Sequence, residues 1–288
     1  MTLRIDSHQH FWRPARGDYR WLRADVPAIA PLVRDFLPQD LAPILAAHGV
    51  ERTVLVQAAD SEAETGFLLG LAAEEASIGG VVGWVDLSRP EAAASLERMA
   101  AHPKFKGIRP MLQDLLQDDW ITREPHPEAL RALARLGLRF DALVMPRHLG
   151  PLLQFLRAWP QLPAVIDHAA KPPVGAHDGD VFARWREHMS MIGALPQVHC
   201  KLSGLWTEAP SALRGDRDGV LRAMRPVWDT LLECFGPQRL MWGSDWPVLT
   251  LAAGYADWVA VSEALVGELS AGEQAQVWHG TARGFYGL

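Results

Sequence analysis

Cysteine is scarce in this sequence, which has only Cys200 and Cys234 among its 288 residues. Two cysteines are too few for a disulfide framework, so we expect buried free thiols in a reducing compartment. The first residues contain no charged leader followed by an apolar run, and no stretch approaches the ~18 apolar residues of a membrane span. These absences predict a cytoplasmic protein with no membrane partner.

Blocks of like charge are also missing, and the net charge is −6. Nucleic-acid binding needs clustered lysine and arginine to neutralise phosphates. We therefore expect no nucleic-acid partner and look for small-molecule chemistry instead. The sequence is compatible with a homo-oligomer as well as with a monomer.

Hydrophobic residues make up 49% of the chain, which is enough for a large core. Short apolar runs alternate with longer segments of helical periodicity along the whole sequence. The predicted strands are residues 3–8, 53–57, 80–86, 106–109, 138–143, 164–168, 198–203 and 239–244. The predicted helices are residues 38–48, 64–77, 91–102, 127–136, 149–158, 181–195 and 220–235.

Eight strand–helix alternations without a break in composition favour one α/β domain over residues 1–288. Eight parallel strands close a (β/α)₈ TIM barrel, although a doubly wound open sheet is the alternative. Three connections that follow strands are long, at residues 11–36, 110–126 and 204–219. In a barrel they would lie on the C-terminal face, where binding loops are found.

The first chemical motif is Asp6-Ser7-His8-Gln9-His10, at the end of the first predicted strand. Side chains two residues apart on a strand share a face, so His8 and His10 can present both imidazoles together. This arrangement suits a metal or a polarised carbonyl. The structural alternative is that the two histidines form their hydrogen bonds within a turn.

Two further motifs lie where other predicted strands end. Asp167-His168 closes an apolar run, and Trp242-Gly-Ser-Asp245-Trp246 follows the last strand. An aspartate could merely cap a turn there. Because reactive groups converge at the carboxyl ends of barrel strands, we expect His8, His10, His168 and Asp245 to form one catalytic site.

The substrate contacts that we predict are one arginine, one lysine and three tryptophans. A guanidinium at a strand end, such as that of Arg109, can bind hydroxyls or stabilise an oxyanion, and a structural ion pair is its alternative. Aromatic faces and directed polar groups commonly hold sugars. The other predicted contacts, all near strand ends, are Lys201, Trp12, Trp206 and Trp246.

Taken in order, DSHQHFW, GWVDL, GIRP, DHAAKP, KLSGL and RLMWGSDWPV resemble the amidohydrolase superfamily. More narrowly, they resemble its sugar-lactonase branch, which contains L-fuconolactonase and L-rhamnonolactonase. The resemblance covers essentially the whole chain. It implies a distorted eight-stranded barrel that hydrolyses a cyclic ester, with His8, His10 and His168 as the family's imidazoles and Asp245 as its catalytic aspartate.

The resemblance also bears on metal binding. Relatives with two metals usually carry a bridging lysine or glutamate at the end of the fourth strand, where this chain has Arg109. We therefore expect at most one divalent metal, zinc in the first instance, or none. Its ligands would come from His8, His10, His168 and Asp245.

These observations predict a lactonase that opens a sugar (aldono) lactone by Asp-assisted attack of water on the carbonyl carbon. Two alternatives are open. One is a zinc-dependent decarboxylase or amide hydrolase of the same superfamily. The other is a barrel that binds a metabolite without turning it over.

Overall fold

The computed structural model describes residues 3–288; residues 1 and 2, part of the predicted domain, lie outside this range. Eight strands form one sheet in the order in which they occur along the chain, and each neighbouring pair is parallel. The strands are β1 Arg4–Gln9, β2 Val50–Val56, β3 Ile78–Gly83, β4 Phe105–Ile108, β5 Arg139–Ala142, β6 Ala164–Ile166, β7 Val198–Leu202 and β8 Leu240–Trp242.

Backbone hydrogen bonds join the last strand to the first. The N–H of Asp245 donates to the carbonyl of His8 at 2.8 Å, and the N–H of His10 donates to that of Trp246 at 2.7 Å. These bonds bring the end of β8 against the end of β1. The predicted (β/α)₈ barrel is therefore confirmed, and the open doubly wound sheet is wrong.

Helices occupy the connections between strands. They are α1 Pro38–His48, α2 Glu62–Glu74, α3 Ala92–Ala100, α4 Trp120–Arg123, α5 Pro127–Arg135, α6 Leu149–Ala158, α7 Asp180–Gly193, α8 Leu205–Glu208, α9 Arg217–Phe235, α10 Tyr255–Val266, α11 Ala271–Ala275 and α12 Thr281–Tyr286. Among residues 3–288, no helix combines the length and the apolarity needed to cross a lipid bilayer.

Local sequence explains where these helices begin and end. The helix α5 starts with Pro127, whose missing N–H needs no partner at that position. It buries Ala129, Leu130 and Leu133 on one face, and Gly137 follows it with a φ of 64°. Because a left-handed residue is best supplied by glycine, this helix stops where the sequence predicts.

The barrel is distorted at the end of β1. The pairing of β1 with β2 shifts register between Asp6 and Gln9, which is the segment that carries His8. The Asp6 carboxylate lies at this irregularity and accepts the backbone N–H groups of His8 at 3.2 Å and Ser244 at 2.8 Å. One buried side chain therefore ties the ends of β1 and β8 together.

Candidate active site

Three imidazoles converge on one carboxylate oxygen at the C-terminal end of the barrel. The Nε2 atom of His10 lies 3.2 Å from Oδ1 of Asp245, and the Nε2 atoms of His8 and His168 each lie 3.8 Å from it. All four side chains are buried. The structure thus brings together the four predicted catalytic residues, which come from the ends of three strands, β1, β6 and β8.

The other ring nitrogen of each histidine faces the protein. Nδ1 of His10 lies 2.8 Å from the carbonyl of Val56, and Nδ1 of His168 lies 2.9 Å from Oγ of Ser203. A carbonyl can only accept, so Nδ1 of His10 carries a proton. Such partners fix the ring orientation and tautomer of metal-binding or basic histidines.

Asp245 is held as a carboxylate. Burial by itself raises its pKa, but the neighbouring His168, His10 and His8 outweigh burial and lower the pKa below the ordinary aspartate value. Burial lowers the pKa of His168 to about 4, so this imidazole is neutral near pH 7. The site therefore combines an anionic base with a neutral imidazole that can accept a proton or bind a cation.

His168 lies in an unusual backbone segment. Four consecutive residues, His168 to Lys171, have φ between 51° and 59°, and none is glycine. Left-handed backbone costs such residues about 1–2 kcal/mol each, and strain of this kind is concentrated at functional sites. The indole N–H of Trp185 donates to the carbonyl of Ala169 at 2.8 Å and helps to hold the turn.

Two glycines make room for the histidines. A Cβ atom on Gly204, which has a φ of +63°, would overlap the His168 ring. A Cβ atom on Gly243 would lie 2.9 Å from Cβ of His8. Gly243, which lies near Asp245, therefore also leaves space for His8. Both glycines are needed for the imidazoles to occupy their positions.

A cavity of about 260 Å³ opens above this cluster. This volume lies just below the roughly 300–1,000 Å³ of pockets for drug-sized ligands, so it suits a single small ring. Its wall combines apolar and polar side chains. They are His10, Trp21, Ile29, Ala58, Arg109, Met111, Gln113, Asp114, Leu143, His168, Lys171, Asp245 and Val248.

The predicted substrate contacts are placed differently from one another. Arg109 lines the cavity, whereas Lys201 is fully buried beneath the site and pairs with Asp141 at 2.6 Å and Asp167 at 3.0 Å. The prediction that Lys201 contacts the substrate directly is therefore corrected. Lys201 belongs to the structural support of His8, whose Nδ1 lies 3.1 Å from its ammonium nitrogen.

The three predicted tryptophans are also buried and are not among the residues that line the cavity. The indole N–H of Trp12 donates to the carbonyls of Leu32 and Arg34, both at 3.1 Å, and so holds the first long loop. Trp21, from the middle of that loop, lines the cavity instead. The placement of Trp12, Trp206 and Trp246 corrects their assignment as substrate contacts.

Two aspartates beneath the site were not among the predicted residues. Asp141 on β5 and Asp167 after β6 are completely buried and share the ammonium of Lys201. Their signal in the sequence is a carboxylate within an otherwise apolar run, which is costly unless it is paired. Gln113 and Asp114, from the loop after β4, give no such signal because that loop has no periodicity.

The donor set also fits a single cation. Ligand atoms of His8, His168 and Asp245 lie within 4.8 Å of one another, and all three side chains are buried. In addition, Nε2 of His10 faces Oδ1 of the Asp245 carboxylate at 3.2 Å. A proton or a cation between these two atoms satisfies both of them.

Comparison with known proteins is consistent with this geometry. The family model described as Amidohydrolase matches residues 5–288. L-fucono-1,5-lactonase from Burkholderia ambifaria is 46% identical over 290 residues, covering 99% of this chain and 96% of that protein. L-fucono-1,5-lactonase from Burkholderia multivorans is 42% identical over 295 residues, covering 100% and 97%.

A solved structure is similar to this chain at nearly the same sequence identity. An amidohydrolase from Burkholderia multivorans with bound zinc superposes with a TM-score of 0.89 at 41% identity and covers 99% of both chains. The resemblance of the ordered motifs to this family is thus confirmed along nearly the whole sequence. This chain belongs to the amidohydrolase family.

Proposed function

We propose that this protein is a hydrolase that opens a sugar lactone to the corresponding aldonic acid, as a single barrel domain. One observation carries the proposal: three imidazole Nε2 atoms surround the Asp245 carboxylate at the floor of a cavity that fits one sugar ring. The two relatives named L-fucono-1,5-lactonase support the same substrate class.

Asp245 acts as the general base. Its carboxylate removes a proton from a water molecule, and the water oxygen forms a bond to the lactone carbonyl carbon. The bond between that carbon and the ring oxygen then breaks, and the protonated Asp245 returns its proton to the ring oxygen. The products are one hydroxyl and one carboxylic acid, which ionises and releases a proton to solvent.

Arg109 stabilises the negative charge that develops on the carbonyl oxygen. Its cationic guanidinium lines the cavity and is buried. A hydrogen bond with the carbonyl of Gln57 fixes the direction of the guanidinium, and so it needs little reorganisation during the reaction.

A divalent cation fits this site, and we propose that His8, His168 and Asp245, with His10 beside them, would hold one zinc ion at most. When bound, zinc would polarise the carbonyl and lower the pKa of a nearby water. Because lactones are activated esters, the residues of the chain could also serve without it.

The proposed setting is the cytoplasm, with a small-molecule partner and no nucleic-acid or membrane partner. The net charge of −6 disfavours phosphate backbones. Cys200 and Cys234 are free thiols, as is usual in a reducing compartment.

A pH-indicator screen of aldonolactones, with and without a chelator, tests this function, because each ring opening releases a proton. We expect at least one aldonolactone to be opened far above the uncatalysed rate. Retained activity in chelator would show that the residues of the chain are sufficient. Tight lactone binding with no product by NMR would instead support a non-catalytic metabolite-binding barrel.

A further inference from the structure

A buried glutamate lies behind the turn that follows β2. Glu64, on α2, is fully buried, and its carboxylate accepts hydrogen bonds from two successive backbone N–H groups. The N–H of Ala58 donates to its two oxygens, at 3.0 and 3.2 Å, and the N–H of Ala59 donates to one of them at 3.0 Å. A buried carboxylate is costly unless such donors surround it. Glu64 therefore anchors two peptide groups of this turn.

The carbonyl groups of the same two peptides accept hydrogen bonds from cavity residues. The first peptide joins Gln57 to Ala58, and its carbonyl accepts a hydrogen bond from the Arg109 guanidinium. The carbonyl of the second peptide, that of Ala58, accepts the indole N–H of Trp21 at 2.7 Å. Arg109 and Trp21 both line the cavity. Because the N–H and C=O groups of a trans peptide point in opposite directions, each peptide has Glu64 on one side and a cavity residue on the other.

Charge strengthens this chain of hydrogen bonds. Burial raises the pKa of Glu64 to about 7, although the N–H groups of Ala58 and Ala59 and the charge of Arg109 act to lower it. Above this pKa, a carboxylate and a guanidinium lie at the two ends of one peptide dipole. They polarise the peptide in the same sense, so each hydrogen bond reinforces the other.

We propose that Glu64 is a positioning residue that fixes the directions of the Arg109 guanidinium and the Trp21 indole through the two peptides that it anchors. Glu64 itself does not line the cavity. It acts on the oxyanion through Arg109 and on the cavity wall through Trp21. For its effect on turnover, this inference rests on the proposed lactonase function, whereas the environment of the Trp21 indole can be measured without it.

The variant Glu64→Gln tests the proposal, because its amide NH₂ group is a donor and one of the two acceptor oxygens is lost. The matched control is Thr65→Val, the next residue on the same helix, which is equally buried. Oγ1 of Thr65 accepts the backbone N–H of Trp84 at 2.9 Å, and Trp84 does not line the cavity. Each variant keeps the shape of its side chain and removes a hydrogen bond from a buried backbone N–H group. Only Glu64→Gln alters the turn that holds Arg109 and Trp21.

Two readouts at about pH 8, where the wild-type Glu64 is mostly ionised, report on the two cavity residues. The indole ¹H–¹⁵N signal of Trp21 is assigned by its loss in Trp21→Phe. Its proton shift should move upfield in Glu64→Gln, because the hydrogen bond to Ala58 weakens, and should stay in place in Thr65→Val. With an aldonolactone, kcat should fall about 10–100-fold and KM should rise in Glu64→Gln only, since small displacements of a catalytic group have effects of this size.

Thermal melts accompany both readouts, and we expect both variants to lose stability. A Trp21 signal in Glu64→Gln that matches the one in Thr65→Val would overturn the proposal, and so would equal kcat values in an active protein. If Glu64→Gln does not fold, Glu64→Asp keeps the charge, shortens the reach by one methylene and is measured in the same way. A displaced Trp21 signal in Glu64→Gln alone, found with a wild type that opens no lactone, would sustain the positioning role and reject the proposed function.

Discussion

Asp245 combines the backbone and the electrostatics that a base in this site needs. Its φ of 59° is left-handed, a region that aspartate and asparagine tolerate better than most residues. Three histidines keep its pKa below the ordinary value, so it is ready to accept a proton at neutral pH. Its low basicity is offset by its position on the cavity wall, where the attacking water of the proposed reaction would lie.

We predict that Asp245→Asn lowers kcat by about 10²–10⁴, the usual contribution of a general base, while the fold is retained. Asparagine fits the left-handed backbone but cannot accept the proton. Lactone opening and the circular dichroism melting curve are measured together. Activity within about tenfold of the wild type would rule out Asp245 as the base.

Gly204 and Gly137 offer a matched pair of alanine substitutions. Their φ values are +63° and +64°, so each alanine carries the same backbone cost of about 1–2 kcal/mol. At Gly137 the added methyl meets nothing within 4 Å, whereas at Gly204 it overlaps His168. We predict that Gly204→Ala loses more stability and much of its kcat, and that Gly137→Ala loses stability alone.

Thermal melts and steady-state kinetics of the two glycine variants decide this point. Equal kcat values would mean that His168 can move without harm, which contradicts its assigned place in the catalytic cluster.

The sequence predicts the four residues of the candidate catalytic cluster because each lies at or just after the end of an apolar strand, and strand ends converge in a barrel. It does not predict which neighbours face the cavity. Trp12 and Trp246 follow strands but turn into the core, where Trp246 bridges to Gln9 of β1. Trp21 reaches the cavity from an aperiodic loop. The path of this loop depends on tertiary contacts, such as the hydrogen bond that the indole N–H of Trp21 donates to the carbonyl of Ala58 at 2.7 Å.

Among the elements, the loop after β4 bears most directly on substrate binding. It carries Gln113 and Asp114 to the cavity wall. Arg147, in the loop after β5, donates to the carbonyl of Gln113 and to Oδ1 of Asp118, both at 2.9 Å. One side chain therefore ties two neighbouring loops together above the barrel.

We predict that Arg147→Met raises KM while kcat changes little. The ion pair between Arg147 and Asp118 is partly exposed. Exposed ion pairs contribute about 0.2–1 kcal/mol, which corresponds to a rise in KM of about fivefold at most. Arg186→Met serves as the control, because Arg186 pairs with Glu233 on α9. A lower kcat at constant KM would show that the loop takes part in the chemistry.

The sequence predicts the eight strands and seven of the helices well, because hydrophobic periodicity is strong in buried elements. The predicted strand boundaries are wrong where tertiary contacts replace the backbone hydrogen bonds between neighbouring strands. Residues 164–168 are predicted as one strand, yet β6 ends at Ile166 and the next residues enter the left-handed turn. No local propensity favours that turn, and the packing around His168 imposes it.

Considered as a whole, the molecule places one strong cation next to its candidate metal ligands. Nη1 of Arg109 lies 3.3 Å from Nε2 of His8 and would repel a second metal ion. We predict at most one equivalent of zinc per chain by elemental analysis, reduced in His8→Ala. His188→Ala, on α7, should keep the metal of the wild type. Two equivalents per chain, both lost in His8→Ala, would contradict the single-ion site.

The central claim is that this barrel opens a neutral, polyhydroxylated lactone. Arg109 and Lys171 are the cations among the residues that line its cavity, and Lys171 lies 3.6 Å from the carboxylate of Glu208. A dicarboxylated substrate would call for several arginine forks.

A competition assay between an aldonolactone and a pyrone dicarboxylic acid tests this claim most directly. We predict that the aldonolactone has the higher kcat/KM by more than about tenfold, since one extra unpaired carboxylate in a buried site costs at least 1.4 kcal/mol. A higher kcat/KM for the dicarboxylic acid would contradict the account.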